Sequence, residues 1–437
     1  MTTSPDQPSD KQILGFQMAF ARHYLNSGGP TSRLEDNLIR IGAHFGRDTE
    51  VFATPTGVFV TLNDPRTHDD PTTALTRIRE TGTNLGQLCQ LEQILSDLEA
   101  DRISLAAATV GLGSSHLKRG RYGSVITVAA AFLAGWVASF VVYQRLVPAL
   151  VSGFITGLAW LLVNKVLKRQ VQNPLFSDFT AAFFTLVLAA LAQAFIAPIT
   201  IEAYAVGGIV LLVPGLALTT AIAELAEQNL VSGTAKFMQA ALALLALGLA
   251  YLLFQQIADS MELKGVLLPQ AAKHTTQIVS VLGVILNVLC FGVIFKVPPR
   301  MLAWSTITGV LGWLVLDRTR STNAAAAAPY LASVAVGMLS LGMGRLFRLP
   351  SQVFSVPGIV AMLPGMLALS SIRYFASGDQ DTGLAFTFQV AVTAVSIVFG
   401  LMTARVPFSV GDTMSPPIWE AISFGAERIT RKKRPKK

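Results

Sequence analysis

Leu212-Val213-Pro214-Gly215 stands in the middle of an apolar run and is followed by the hydroxyls of Thr219 and Thr220. Met362-Leu363-Pro364-Gly365 stands in a second such run near the C-terminus and is followed by Ser370 and Ser371. From Pro214 to Pro364 is 150 positions, and the same step carries Pro148 onto Pro298, Gly208 onto Gly358 and Gly233 onto Gly383. Proline removes a backbone donor and frees a carbonyl one turn earlier, while glycine permits an unwound geometry, so each pair predicts a helix broken inside an apolar layer. Polar backbone exposed at such a break can hold an ionic or zwitterionic solute. The expected substrate-binding set is Pro214, Gly215, Thr219, Thr220, Pro364, Gly365, Ser370 and Ser371. A kink satisfied by neighbouring helices is the plainer reading of the same pairs.

The whole chain fits a membrane setting. Of its 437 residues 52% are hydrophobic and 14% charged, and the mean hydropathy is +0.52, which excludes an ordinary soluble protein. Met1 to Arg121 reads as soluble, whereas apolar runs of bilayer length follow one another from Ser124 to about Ala404. We count ten spans, centred near residues 134, 155, 187, 212, 247, 285, 308, 335, 362 and 395. Five fall in each half, and an odd number turns the second copy over relative to the first. The expected fold is therefore membrane all-α, ten transmembrane helices as two inverted five-helix repeats preceded by a small cytoplasmic α+β domain. The expected divisions are a cytoplasmic domain at 1–121, a first repeat at 122–258, an external linker at 259–273, a second repeat at 274–408 and a basic cytoplasmic tail at 409–437. Basic residues such as Lys165, Lys236, Lys296 and Arg405 outnumber those assigned to the other face, among them Arg318 and Arg373, which predicts both termini inside. No secretory signal leads the chain, which likewise predicts a cytoplasmic N-terminus.

In the soluble region Asp10 is placed to cap a helix carrying Ile13, Leu14, Phe16, Phe20 and Tyr24 on one face, ending near Gly28-Gly29-Pro30. Ser32-Arg33-Leu34-Glu35 has the spacing of a capping box. Val51 to Ala53 and Val58 to Leu62 read as a hairpin, and Thr72 to about Gly113 as mostly helix. The cluster Arg66, His68, Asp69 and Asp70 is a solvated loop rather than a metal site, because its acids are adjacent and not spaced to converge. His23 reads as a structural histidine, and no serine or cysteine stands in a nucleophile context, so no catalysis is expected. Cys89 and Cys290 form neither a disulfide framework nor a metal pair, and no phosphate loop occurs, so neither a cofactor nor a metal is expected. The net charge of +8 is concentrated between Arg428 and Lys437, which points to anionic lipid rather than nucleic acid and leaves a homo-oligomer open. Among the few acids in or beside the spans, Glu224 is the expected coupling or gating residue, with Asp178 and Glu202 as further candidates near span ends.

Leu212-Val213-Pro214-Gly215, Ala221-Ile222-Ala223-Glu224-Leu225 and Ser232-Gly233 together resemble the first-half signature of the bacterial threonine/serine exporters. The stretch from Gly28-Gly29 to Glu35 resembles that family's cytoplasmic motif. Leu363-Pro364-Gly365 through Gly378-Asp379 is similar to the companion domain, which in some bacteria is a separate subunit. The resemblance implies efflux of threonine and serine driven by the proton gradient; split relatives are associated with dicarboxylates such as succinate. Glu224 stands where the family favours aspartate and Thr220 where asparagine is frequent, and both departures bear on the substrate. A dicarboxylate exporter is the alternative within transport, and a membrane-anchored hydrolase or sensor built on the N-terminal domain is the alternative outside it.

Overall fold

The structure, a computed structural model, describes residues 8–65, 70–79, 82–114, 122–167, 173–196, 199–260, 277–320 and 326–408. Arg66, His68, Asp69, most of the linker expected at 259–273 and the basic tail expected at 409–437 lie outside the described residues.

The soluble elements are α1 (Asp10–Asn26), α2 (Thr31–His44), β1 (Asp48–Thr54), β2 (Gly57–Asn63), β3 (Thr72–Arg77), α3 (Leu85–Glu99) and α4 (Leu105–Gly113). Phe16, Phe20 and Tyr24 bury one face of α1, as the helical spacing predicts. Ser9, not Asp10, is its N-cap, and the Ser9 N–H donates to Gln12 Oε1 at 2.8 Å. Gly28 then turns the chain at φ +83°, where a Cβ would lie 2.5 Å from the Gly82 carbonyl oxygen. The sheet is antiparallel in the order β1-β2-β3, with Phe52 opposite Phe59 in the expected hairpin. The third strand corrects the helix expected from Thr72. Its threonines suit an extended chain, and pairing Val58 with Thr76 and Val60 with Ala74 covers the open edge of β2.

The membrane elements are α5 (Ser124–Tyr143), α6 (Leu146–Leu161), α7 (Pro174–Phe195), α8 (Ile201–Leu212), α9 (Gly215–Ala226), α10 (Leu230–Ser260), α11 (Gln277–Ile294), α12 (Leu302–Arg320), α13 (Ala327–Phe347), α14 (Gln352–Ile359), α15 (Gly365–Ala376) and α16 (Gln380–Thr403). Joining α8 to α9 and α14 to α15 across their breaks, nine helices among the described residues are long and apolar enough to cross a membrane. The expected count of ten is not reached. The helix at the position of the missing span is α12, 19 residues long, which Ser305, Thr306, Thr308, Asp317, Arg318 and Arg320 make more polar than the others.

Local geometry repeats at the 150-residue step. Gly215–Ala226 matches Gly365–Ala376, and the left-handed residues that follow, Gln228 at φ +68° and Gly378 at φ +84°, match in turn. A Cβ on Gly233 would meet Leu225, and one on Gly383 would meet Phe375, so each glycine lets α10 or α16 cross closely over the preceding helix. The C-terminal end of α9 and the N-terminal end of α14 both meet the soluble elements: Ser32 reaches Glu227 on one, and Arg33 reaches Gln352 on the other. The two broken segments thus run in opposite directions. The soluble core is closed by membrane-half residues Val297, Val353 and Phe354. At the same seam the Leu85 and Gly86 N–H groups, at the start of α3, donate to the carbonyls of Phe295 and Lys296 at 3.0 Å.

Candidate functional site

Both Pro-Gly pairs break their helices in the same way. Pro214 has φ −79° and ψ 47°, Pro364 has φ −78° and ψ 34°, and the following glycine N–H turns back to the carbonyl of Val213 or Leu363 at 2.8 Å. These are inverse γ-turns. In an unbroken helix the Leu211 and Ala361 carbonyls would accept from Gly215 and Gly365, whose N–H groups are engaged here instead. The breaks also face each other reciprocally. A Cβ on Gly215 would lie 3.3 Å from Leu363 Cβ, and one on Gly365 would lie 3.8 Å from Val213 Cγ1. Val213 and Leu363 are themselves 150 positions apart.

The hydroxyls expected to accompany the breaks are engaged locally. Thr219, buried, donates to the Gly215 carbonyl at 2.9 Å; Thr220, exposed, donates to Ala217 at 2.9 Å; Ser370 donates to Met366 at 3.0 Å. Ser371 differs, because it links α15 to α16 through the Gly383 carbonyl at 3.1 Å and Thr387 Oγ1 at 2.6 Å.

Glu224 is buried where the membrane and soluble elements meet. It pairs with Lys236 and accepts from Ser232, and its Oε1 also accepts the Thr31 N–H at 3.2 Å. Thr31 is the first residue of α2, so a carboxylate 193 positions away satisfies a donor at that helix start and meets the positive end of its dipole. This overturns the capping box read at Ser32 and Glu35: the helix begins two residues earlier, with Pro30 at its N-cap, Ser32 bonds Glu227 at 2.8 Å, and Glu35 accepts from the Ala53 N–H at 2.8 Å. Burial, with the nearby charges of Asp36 and Glu224, holds the Glu35 carboxyl above the ordinary glutamate range against the lowering effect of the Ala53 N–H. His23 is held by Gln87 at 3.3 Å.

At the opposite end of the broken segments, Glu202 of α8 and Arg373 of α15 converge with Tyr143 and Tyr251 on a small cavity. The rest of its lining includes Ala205, Val206 and Ile209 on one face of α8, and Met366 and Leu369 on one face of α15. Each row leads from the charged pair back to the break of its own segment. Asp178, near the start of α7, is not among the lining residues. Sequence reasoning assigned Arg373 to an external connection and passed over both tyrosines. The available signal was the spacing of Met366, Leu369 and Arg373, three and then four residues apart, which puts the arginine on the face that follows Gly365.

Two family models match the chain. The threonine/serine exporter family model, ThrE, matches residues 16–258, and a second threonine/serine exporter model, ThrE_2, matches residues 280–406. A search of curated proteins and of solved structures finds no match. The first family match takes in both the soluble elements and the broken helix at Pro214, and the second takes in the break at Pro364. The chain is a multi-pass membrane protein that belongs to the threonine/serine exporter family, with both halves fused in one polypeptide.

Proposed function

We propose that this chain is a secondary transporter that exports threonine and serine by alternating access, in exchange for protons, across a bacterial inner membrane. Its working parts are two inverted five-helix repeats, residues 122–258 and 274–408, with α12 as a polar span, behind a cytoplasmic domain of residues 1–121. The observation that carries the reading is the reciprocal contact of the two breaks, Gly215 at Leu363 and Gly365 at Val213, on segments that pass in opposite directions. Equivalent elements of opposite sense can exchange conformations, so that a site between them opens first to one side and then to the other. Pro214, Gly215, Pro364 and Gly365 line the substrate's route, where the Leu211 and Ala361 carbonyls offer acceptors to an ammonium group. Thr219, Thr220, Ser370 and Ser371 already donate, so each offers lone pairs to the substrate hydroxyl. Glu224 acts as a gate residue, because opening the cytoplasmic side separates it from Thr31. The N-terminal domain and the basic tail lie inside.

A buried glutamate on the cavity repels a dianion, which favours a zwitterionic amino acid over a dicarboxylate such as succinate. Counterflow of radiolabelled threonine, serine and succinate in proteoliposomes, with and without a pH gradient, tests the assignment. Threonine and serine should exchange and respond to the gradient. Exchange of succinate alone would replace the reading by a dicarboxylate exporter, and movement of none of the three would remove it.

A further inference from the structure

Glu202 and Arg373 form an unfinished ion pair. Arg373 Nη2 stops 3.9 Å from Glu202 Oε1, beyond hydrogen-bond length, although both side chains are at least nine-tenths buried. Among the described residues neither carboxylate oxygen of Glu202 has a hydrogen-bond partner, and neither has Arg373 Nε. A purely structural arginine–carboxylate bridge closes in a two-pronged, hydrogen-bonded geometry, which compensates the loss of water around both charges. Here the charges are desolvated and left short of each other, an arrangement that serves stability poorly.

The repeat sharpens the point. Positions 150 residues away from the pair hold Gln352 and Ala223, so neither charge is inherited from the symmetry of the two halves. One member comes from each half, each at the end of a lining row that runs back to a Pro-Gly break. We propose that Glu202 and Arg373 form a clamp for the charged groups of an amino acid, with Arg373 taking the α-carboxylate and Glu202 the α-ammonium. The inference rests on the amino-acid exporter reading and adds to it the residues that recognise the zwitterion. Unpartnered carboxylate oxygens match an ammonium donor, and the unpartnered Nε–H of Arg373 matches a carboxylate acceptor. The cavity is about 20 Å³, room for a water and too small for an amino acid, so the clamp is closed in this structure. Binding requires α8 and α15 to separate, which is the movement that alternating access demands of the two halves.

Counterflow and ligand-induced thermal stabilisation are measured for wild type, Glu202→Gln, Arg373→Gln and Arg373→Lys, all at full length. The probes are threonine, threoninamide, which lacks the carboxylate charge, and N-acetylthreonine, which lacks the ammonium. Losing a charge-assisted contact should raise the KM for threonine by about tenfold or more in each Gln variant. Arg373→Gln should lower threonine transport by a larger factor than threoninamide transport, and Glu202→Gln should lower threonine transport by a larger factor than N-acetylthreonine transport. Arg373→Lys should fall between wild type and Arg373→Gln, and it reports on the clamp even where the neutral variant does not fold. Wild-type KM values for threonine in the variants, or an equal loss of all three compounds, would overturn the clamp while the exporter reading stands. A wild type that moves no amino acid sinks the exporter reading and the clamp with it.

Discussion

Glu224 shows how much one side chain holds when it is buried between two parts of a molecule. It serves Lys236, Ser232 and the first N–H of α2 at once, so its removal leaves a cation and a helix terminus without their partner. Glu224→Ala should therefore cost about 3 kcal/mol, whereas Glu224→Gln keeps an acceptor for Thr31 and should be milder. Thermal unfolding of the detergent-purified protein checks this, and equal midpoints for Ala and wild type would refute it. Glu35 gives a pH-dependent counterpart. Its folded-state pKa lies above the unfolded value, so its favourable contribution is complete below the ordinary glutamate pKa and is lost as pH rises through the folded value. Stability of wild type relative to Glu35→Gln should fall as pH rises across that window and level off above it. Parallel unfolding profiles across the window would show that Glu35 titrates alike in both states.

Whole elements depend on how closely backbones approach. In α10, a Cβ on Gly233 would lie 2.6 Å from Leu225 Cγ and 2.8 Å from the Leu225 backbone nitrogen, while one on Gly248 would meet nothing nearer than 3.8 Å. Gly233→Ala should destabilise by about 1–3 kcal/mol. Gly248→Ala in the same helix should be neutral or slightly stabilising, since alanine favours helix by about 1 kcal/mol over glycine. The pair is compared by unfolding midpoint, and a larger loss at Gly248 would contradict the packing of α9 on α10. The same features explain what was legible in the sequence. Pro214-Gly215, Pro364-Gly365, Gly233 and Gly383 act through local backbone chemistry, so a fixed step between them already marks matching breaks and crossings. Strand β3 was hidden because Thr72–Arg77 is mostly exposed and shows little apolar alternation; its place comes from its pairing with β2. The start of α2 was misplaced because the acceptor for Thr31 is Glu224, far along the chain. Arg373 was missed for the same reason: an arginine near a span end reads as a topology signal until Glu202, 171 positions earlier, is found across the cavity.

At the scale of the whole molecule, the soluble domain marks one face. Glu227 after α9, Lys296 after α11, Gln352 at the start of α14 and Arg405 after α16 all gather there: Ser32 and Arg405 bond Glu227, Gly86 bonds the Lys296 carbonyl, and Arg33 bonds Gln352. The Glu202–Arg373 pair lies at the far end of the same broken segments. A rocking movement of one half against the other must disturb this gathering unevenly. The second half holds the domain through a shared apolar core and two backbone hydrogen bonds, and the first half through the polar contacts of Thr31 and Ser32. The domain should accordingly travel with the second half. Sidedness itself is read from Lys165, in the π-turn that ends α6, and Arg318, in the last turn of α12, which lie near the ends of two helices that the 150-residue step brings into line. Because the native Cys89 and Cys290 are buried, a cysteine introduced at either position can be labelled over a low background. With an impermeant maleimide applied to intact cells and then to inverted vesicles, Arg318→Cys should react from outside and Lys165→Cys only from the cytoplasmic side. Reaction of both from one side would mean that the halves enter the membrane in the same sense, and two breaks of the same sense could not exchange roles across it.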